Sequence, residues 1–180
     1  MNIKVIMASI KQADTIASIG KQSFRDAFGH LFSNRNELRE YLDYTYDPEK
    51  IARSIEKENN VFFLAFVENV PVGFAKVKKY SLNEQIESIA QTELQKIYVL
   101  SYYHGSGAGA ALMQSVIDLA QEIGPDFLWL DTHIANAKAI RFYEKYGFKK
   151  MGKYYFMIGS QTFEYHLMAM PVQEMIACNH

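Results

Sequence analysis

Cysteine is almost missing. The chain has 180 residues and one thiol, Cys178. A lone cysteine closes no intrachain disulfide, so the fold must rest on packing, and nothing asks for an oxidising compartment. A surplus of either charge is missing too. Lys and Arg number 19 against 20 Asp and Glu, a net charge of −1, with no polybasic footprint for nucleic acid or an anionic membrane. No apolar run approaches the roughly 18 residues of a membrane span, and the opening MNIKVIMASIKQAD lacks an apolar signal region. The expectation is a cytoplasmic protein with no nucleic-acid or membrane partner and no metal. Repeats, low-complexity segments and linkers are absent as well. A chain this long suits a single domain, expected over residues 1–172, with a loose tail over 173–180.

What the chain does have is aromatic residues, 12 Tyr and 12 Phe, and one stretch that organises the rest. From Glu93 to Gly109 it reads ELQKIYVLSYYHGSGAG: a strand, a short aromatic connection and a glycine-rich turn. The helix ALMQSVIDLAQEI follows, with Leu112, Val116, Leu119 and Ile123 at helical spacing. Strand alternation predicts Leu94, Lys96 and Tyr98 on one face and Glu93, Gln95, Ile97 and Val99 on the other. A helix start offers unpaired backbone N–H groups and the positive end of the helix dipole, and glycines let phosphates approach that backbone. The stretch therefore points to a phosphate-bearing ligand. Glycines that merely relieve strain at a junction would look similar. So would a dinucleotide turn, since Gly105, Gly107 and Ala110 fit G-x-G-x-x-A and Asp131 follows roughly 20 residues on. Three features oppose the dinucleotide reading. LSYYH separates strand from turn, the turn lies past the middle of the chain, and too little chain follows Asp131 for further βαβ units.

Two motifs together resemble the GNAT superfamily of N-acetyltransferases. The first is Ile97-Tyr98-Val99, a short loop, and then His104-Gly105-Ser106-Gly107-Ala108-Gly109 opening a helix, similar to the acyl-CoA motif [QR]-x-x-G-x-[GA]. His104 stands where Gln or Arg is usual. The second, Asn136 to Phe148, reads NAKAIRFYEKYGF and resembles N-x-x-A-x-x-F-Y-x-x-x-G-F. The resemblance implies an α/β (α+β) fold, with a mixed, mostly antiparallel sheet of six to seven strands, a splayed central pair and helices on both faces. It also implies acetyl-CoA as co-substrate and direct attack of a primary amine in a ternary complex. The pyrophosphate would lie on backbone N–H groups from Gly105 to Ala110. Exposed main chain at Ile97, Tyr98 and Val99 would receive the pantetheine arm and the acetyl group, with Asn136 bonding the arm or simply capping the helix after it. Tyr143 would protonate the departing thiolate, since a phenol is protonated at neutral pH; Tyr146 competes for that role. Glu93 is the candidate general base, with His104 and His133 as other ionisable groups and water as the alternative. A binder of acyl-CoA without turnover is the reading from a different class.

The remaining chain fits that plan. KQADTIASIGKQSFRDAF, RNELREYLDYTY and a segment from Asp47-Pro48-Glu49 read as helices, with Asn34 near an N-cap and Pro48 in a first turn. By the resemblance, residues 11–59 shape the acceptor site. Glu68-Asn69-Val70-Pro71 signals a hairpin, SLNEQIESIAQ a loop on the substrate side, Gly124-Pro125-Asp126 a helix end, and FKKMGKYYFMI with TFEYHLMAM a final strand pair. Softer likenesses in SFRDAF, NELREYLDYTY, VFFLAFVENVPVGFAKV, LQKIYV and FEYHLMAM extend the resemblance to PaiA-type polyamine acetyltransferases. They imply spermidine or spermine as acceptor and admit a homodimer; another small amine, an antibiotic, an amino acid or a protein N-terminus stays open as acceptor. A polyamine wants carboxylates along a slot, for which Glu37, Glu40, Asp43, Glu84 and Glu87 are the candidates.

Overall fold

A computed structural model describes residues 1–173; Cys178 and the expected loose tail beyond Gln173 lie outside the described residues. Strand β1 (Ile3–Met7) is followed by helices α1 (Ala13–Phe28), α2 (Arg35–Thr45) and α3 (Pro48–Ile55). Then come β2 (Asn60–Val67), β3 (Val70–Lys79), β4 (Gln91–Val99), α4 (Ala108–Ile123), β5 (Phe127–His133), α5 (Ala137–Lys145), β6 (Lys149–Ile158) and β7 (Gln161–Pro171). The strands form one sheet in the order β1-β2-β3-β4-β5-β7-β6. β4 and β5 run parallel, and every other neighbouring pair is antiparallel.

Local chemistry sets the element ends. Asn34 accepts from the N–H groups of Asn36 and Glu37, Asp47 accepts from Glu49 N–H ahead of Pro48, and Gly124 closes α4 in the left-handed region at φ 71°. Glu68 and Asn69, at φ 49° and 66°, make the tight turn between β2 and β3.

Each face of the sheet carries a core. Ala108, Leu112, Met113, Val116 and Ala120 of α4 and Ile140 and Tyr143 of α5 pack on one face with Val72, Ala75 and Leu94. Ile16, Ile19, Phe24 and Phe28 of α1, Leu42, Tyr46 and Ile51 pack on the other with Phe62, Leu64 and Phe74. α1 passes close enough to Tyr46 that a Cβ at Gly20 would sit 2.3 Å from its ring.

Two features of β4 position the site. Its pairing with β5 runs only from Gln91–Phe127 to Glu93–Trp129. Beyond that the two strands continue unpaired and diverge. On the other side, Lys76 pairs with Lys96 but Val77 pairs with Leu94, so Gln95 is a bulged extra residue. The bulge overturns the alternation expected from the sequence. Leu94 shares the α4 face with Ile97 and Val99. Glu93, Lys96 and Tyr98 line the cavity on the opposite face.

The loop from Ser81 to Ala90 departs from expectation as well. The side chain of Gln91 donates to the carbonyls of Asn83, Ile86 and Ser88. Ile86 packs with Trp129, whose indole donates to Ser81 O at 2.9 Å. Apolar anchoring at Ile86 draws the loop against β5 and β7, and its residues line neither cavity described below.

Candidate active site

The divergence of β4 from β5 opens the sheet, and two cavities meet at the opening, both reaching the face that α1 covers. The larger, about 530 Å³, runs past Ile97, Tyr98 and Val99 to the turn before α4, between Gly105, Gly107, Gly109 and Ala110 on one side and Asn136, Ala139, Phe142 and Tyr143 on the other. The second, about 460 Å³, lies under α2 and α3, lined by Tyr41, Thr45, Tyr46, Lys50, Lys76 and Glu93 among others. Gln95, Lys96, Tyr98, Asp131 and Tyr165 line both.

The glycine turn suits a phosphate. Gly105 and Gly107 adopt φ 82° and 92°, and a Cβ at Gly105 would meet nothing within 4 Å. That leaves the N-terminus of α4 open to a bulky anion, and the apolar walls beyond it suit an uncharged arm. Ser106 and Ala108 are not on the wall. Ser106 Oγ accepts from Ala108 N–H at 3.3 Å, and Ala108 is fully buried in the core.

His104 is held across the mouth of this cavity. Lys138 Nζ lies 2.9 Å from Nδ1, and Nε2 lies 2.8 Å from Val99 O. An ammonium only donates, so Nδ1 accepts from Lys138 and Nε2–H donates to the Val99 carbonyl. The side chain of Asn136 accepts from Ala139 N–H at 3.1 Å, so it caps α5 while facing the cavity.

Tyr143 is buried at the inner end of the larger cavity, and burial raises its hydroxyl well above the ordinary phenol value. It is fully protonated at neutral pH. Tyr146 lines neither cavity. Glu93 is buried, lines only the second cavity, and accepts from Ser81 Oγ at 2.7 Å. His133 packs among Phe28, Phe163 and Tyr165 and accepts from Ala135 N–H at 3.0 Å. Burial lowers its pKa, which suits a neutral histidine shaping the turn.

Sequence reasoning weighed Asp131 only as a dinucleotide partner. In the structure it is the carboxylate common to both cavities. It accepts a hydrogen bond from the Tyr154 hydroxyl. Burial raises its pKa to about 6, opposed by the Tyr154 hydrogen bond and reinforced by the charge of Glu93. The signal was available, since a carboxylate inside the apolar run FLWLDTH is costly unless used. The carboxylates named for a polyamine slot are elsewhere. Glu37 accepts from Ser160 N–H and Oγ across the β6–β7 turn, Asp43 pairs with Lys21 at 2.9 Å, and Glu40, Glu84 and Glu87 are exposed; none lines either cavity.

A strand pair that parts over a glycine turn opening a helix suits a coenzyme A-dependent acyltransferase. The model of the acetyltransferase (GNAT) family matches residues 23–148, and the chain belongs to that family. An uncharacterized N-acetyltransferase of Mycobacterium bovis is 40% identical over 148 residues, covering 82% of this chain and 90% of its own. Among solved structures, PaiA N-acetyltransferase from Thermoplasma acidophilum in complex with coenzyme A superposes with a TM-score of 0.76 at 20% identity, over 95% of this chain and 99% of that one. The ribosomal-protein-S18-alanine N-acetyltransferase from Escherichia coli superposes at 0.68, also at 20% identity, over 95% and 94%. At that identity these structures speak to the fold. The chain is accordingly an acetyl-CoA-dependent N-acetyltransferase. Among the described residues no helix is long and apolar enough to cross a membrane.

Proposed function

We propose that the larger cavity takes acetyl-CoA, the second takes a primary amine, and the acetyl group passes between them through the gap where β4 leaves β5. The observation that carries this is the set of residues common to both cavities, Lys96, Tyr98, Asp131 and Tyr165 among them. The N-terminus of α4, with Gly105 to Ala110, holds the pyrophosphate. Ile97 to Val99 present main chain to the pantetheine arm, with Asn136 on the opposite wall. His104 and Lys138 stand at the rim, where Lys138 supplies positive charge.

The amine must be neutral to attack, and the thiolate must be protonated to leave. Asp131 removes the first proton. A carboxylate with a pKa of about 6 is mostly ionised at neutral pH yet a far better base than an exposed one. Glu93, expected to act as base itself, shares the second cavity with Asp131 and raises its pKa. We assign it the support of that base and the reception of the incoming ammonium. Tyr143 donates its hydroxyl proton to the thiolate from the coenzyme side.

Tyr143→Phe tests the acid assignment. A positioned general acid is commonly worth about 10²–10⁴ in rate. The variant should lose about 100-fold or more in kcat, while calorimetry finds acetyl-CoA affinity within a few-fold of wild type. An unchanged kcat would remove Tyr143 from the mechanism.

A further inference from the structure

The second cavity is lined by more lysines than a polyamine site should have. Lys50 from α3, Lys76 from β3 and Lys96 from β4 all line it, against the carboxylates of Glu93 and Asp131. Lys76 and Lys96 are directly opposed on neighbouring strands, and like charges in that position repel. The ion pairs among the described residues are Lys21–Asp43, Arg53–Glu49 and Lys153–Glu164, so none of the three cavity lysines has a carboxylate within 4.0 Å. They rest instead near aromatic rings. Lys96 Nζ is 5.3 Å from the Tyr46 ring centre, Lys76 Nζ 5.5 Å from that of Phe62, and Lys50 Nζ 3.6 Å from that of Tyr44. Such contacts hold a cation in place without neutralising it.

A further observation points the same way. Burial lowers the pKa of both Lys96 and Lys76. For Lys76, with Lys96 and Lys78 nearby, it falls to about 8, which leaves Lys76 mostly charged at neutral pH and in want of a counter-anion, and an anion bound beside Lys96 would favour its charged form.

We infer that the acceptor is a small zwitterion, a primary amine that also carries a carboxylate or phosphate. Its ammonium end faces Asp131 and Glu93 at the gap, and its anionic end lies among Lys50, Lys76 and Lys96. Tyr41, Phe62, Phe74 and Phe156 in the same wall suit an apolar or aromatic body between the two ends. An α-amino acid has this form. A polyamine would bring two or more positive charges against lysines that have no carboxylate within 4.0 Å among the described residues, which argues against the acceptor expected from the resemblance. The inference rests on the acetyl-transfer reading above.

The test measures thiol release from acetyl-CoA with matched acceptors: L-phenylalanine, L-methionine and O-phosphoethanolamine, each beside its counterpart without the anionic group (L-phenylalaninamide, L-methioninamide, ethanolamine), and spermidine. The amino amides have the less basic amines, so they are favoured intrinsically at neutral pH, and a preference for the acids must come from the site. The expected result is a kcat/KM at least tenfold higher for an anionic acceptor than for its partner. That ratio should fall about tenfold in Lys76→Met and in Lys96→Met and return in Lys76→Arg. The amino acid and phosphate arms identify which anion is used. Faster turnover of spermidine or of the amides, or a ratio indifferent to the lysine substitutions, overturns the zwitterion while leaving acetyl transfer intact. Acetyl-CoA binding by calorimetry with no thiol release for any amine overturns the acetyl-transfer reading itself.

Discussion

Burial makes the proton on Asp131 hard to remove, and the same effect ties its chemistry to its cost in stability. With a pKa of about 6 in the fold and about 3.9 in an unfolded chain, the folded state binds more protons than the unfolded state between those values. Stability therefore falls as pH rises across that window, and the loss is complete above about 6. Asp131→Asn removes the ionisation. At pH 7 the variant should be more stable than wild type by on the order of 1 kcal/mol, and denaturant titrations at pH 4 and pH 7 should show the gap closing at the lower value. Activity should move the other way. Wild-type kcat/KM should rise with pH through about 6 and level off, while the Asn variant loses that limb and about 100-fold or more in rate. A retained limb would assign the base to another group.

Single residues were legible in the sequence where a motif or a backbone conformation fixed them. Gly105, Gly107, Asn136 and Tyr143, which the two motifs single out, all line one cavity. Lys76, Lys96 and Tyr165 were not legible as site residues. Each is an ordinary strand residue whose meaning comes from what another element brings opposite it.

At the scale of the element, the turn before α4 and the bulge in β4 carry the site. Gly107 has φ 92°, and a Cβ there would sit 3.0 Å from Ile3 Cδ1. Gly107→Val should therefore cost about 1–3 kcal/mol in backbone strain and close the cradle. Calorimetry should find acetyl-CoA affinity reduced by a factor of 100 or more in a variant that still melts cooperatively; retained affinity would place the pyrophosphate elsewhere. Gly20 governs the other side. With a Cβ 2.3 Å from the Tyr46 ring, Gly20→Ala should displace that ring, destabilise the fold by about 1–3 kcal/mol and raise KM for the amine more than for acetyl-CoA. Equal effects on both would detach Tyr46 from the acceptor cavity. Helices and hairpins were readable because caps, glycines and turn residues are local signals. The bulge at Gln95 was not, since period-two alternation presumes an uninterrupted strand, and one extra residue sends Glu93 to the face opposite Ile97.

Over the whole molecule, α1, α2 and α3 cover one face of the sheet and α4 and α5 the other, and the parting of β4 and β5 between them opens both cavities. The wall of the larger cavity was largely legible, since many of its residues lie in two motifs close together in sequence. The second cavity draws on Tyr41, Lys50, Lys76, Lys96, Asp131 and Tyr165, from α2, α3 and four strands, and no local pattern relates them. The carboxylates that seemed suited to an amine slot face solvent or tie α2 to its neighbours. The measurement that tests the central claim most directly is thiol release from acetyl-CoA by the wild-type protein, with and without amines. Release that depends on an added amine, saturates with it and yields the N-acetylated product is the predicted result. Acetyl-CoA binding with release no faster in the presence of any amine would contradict it.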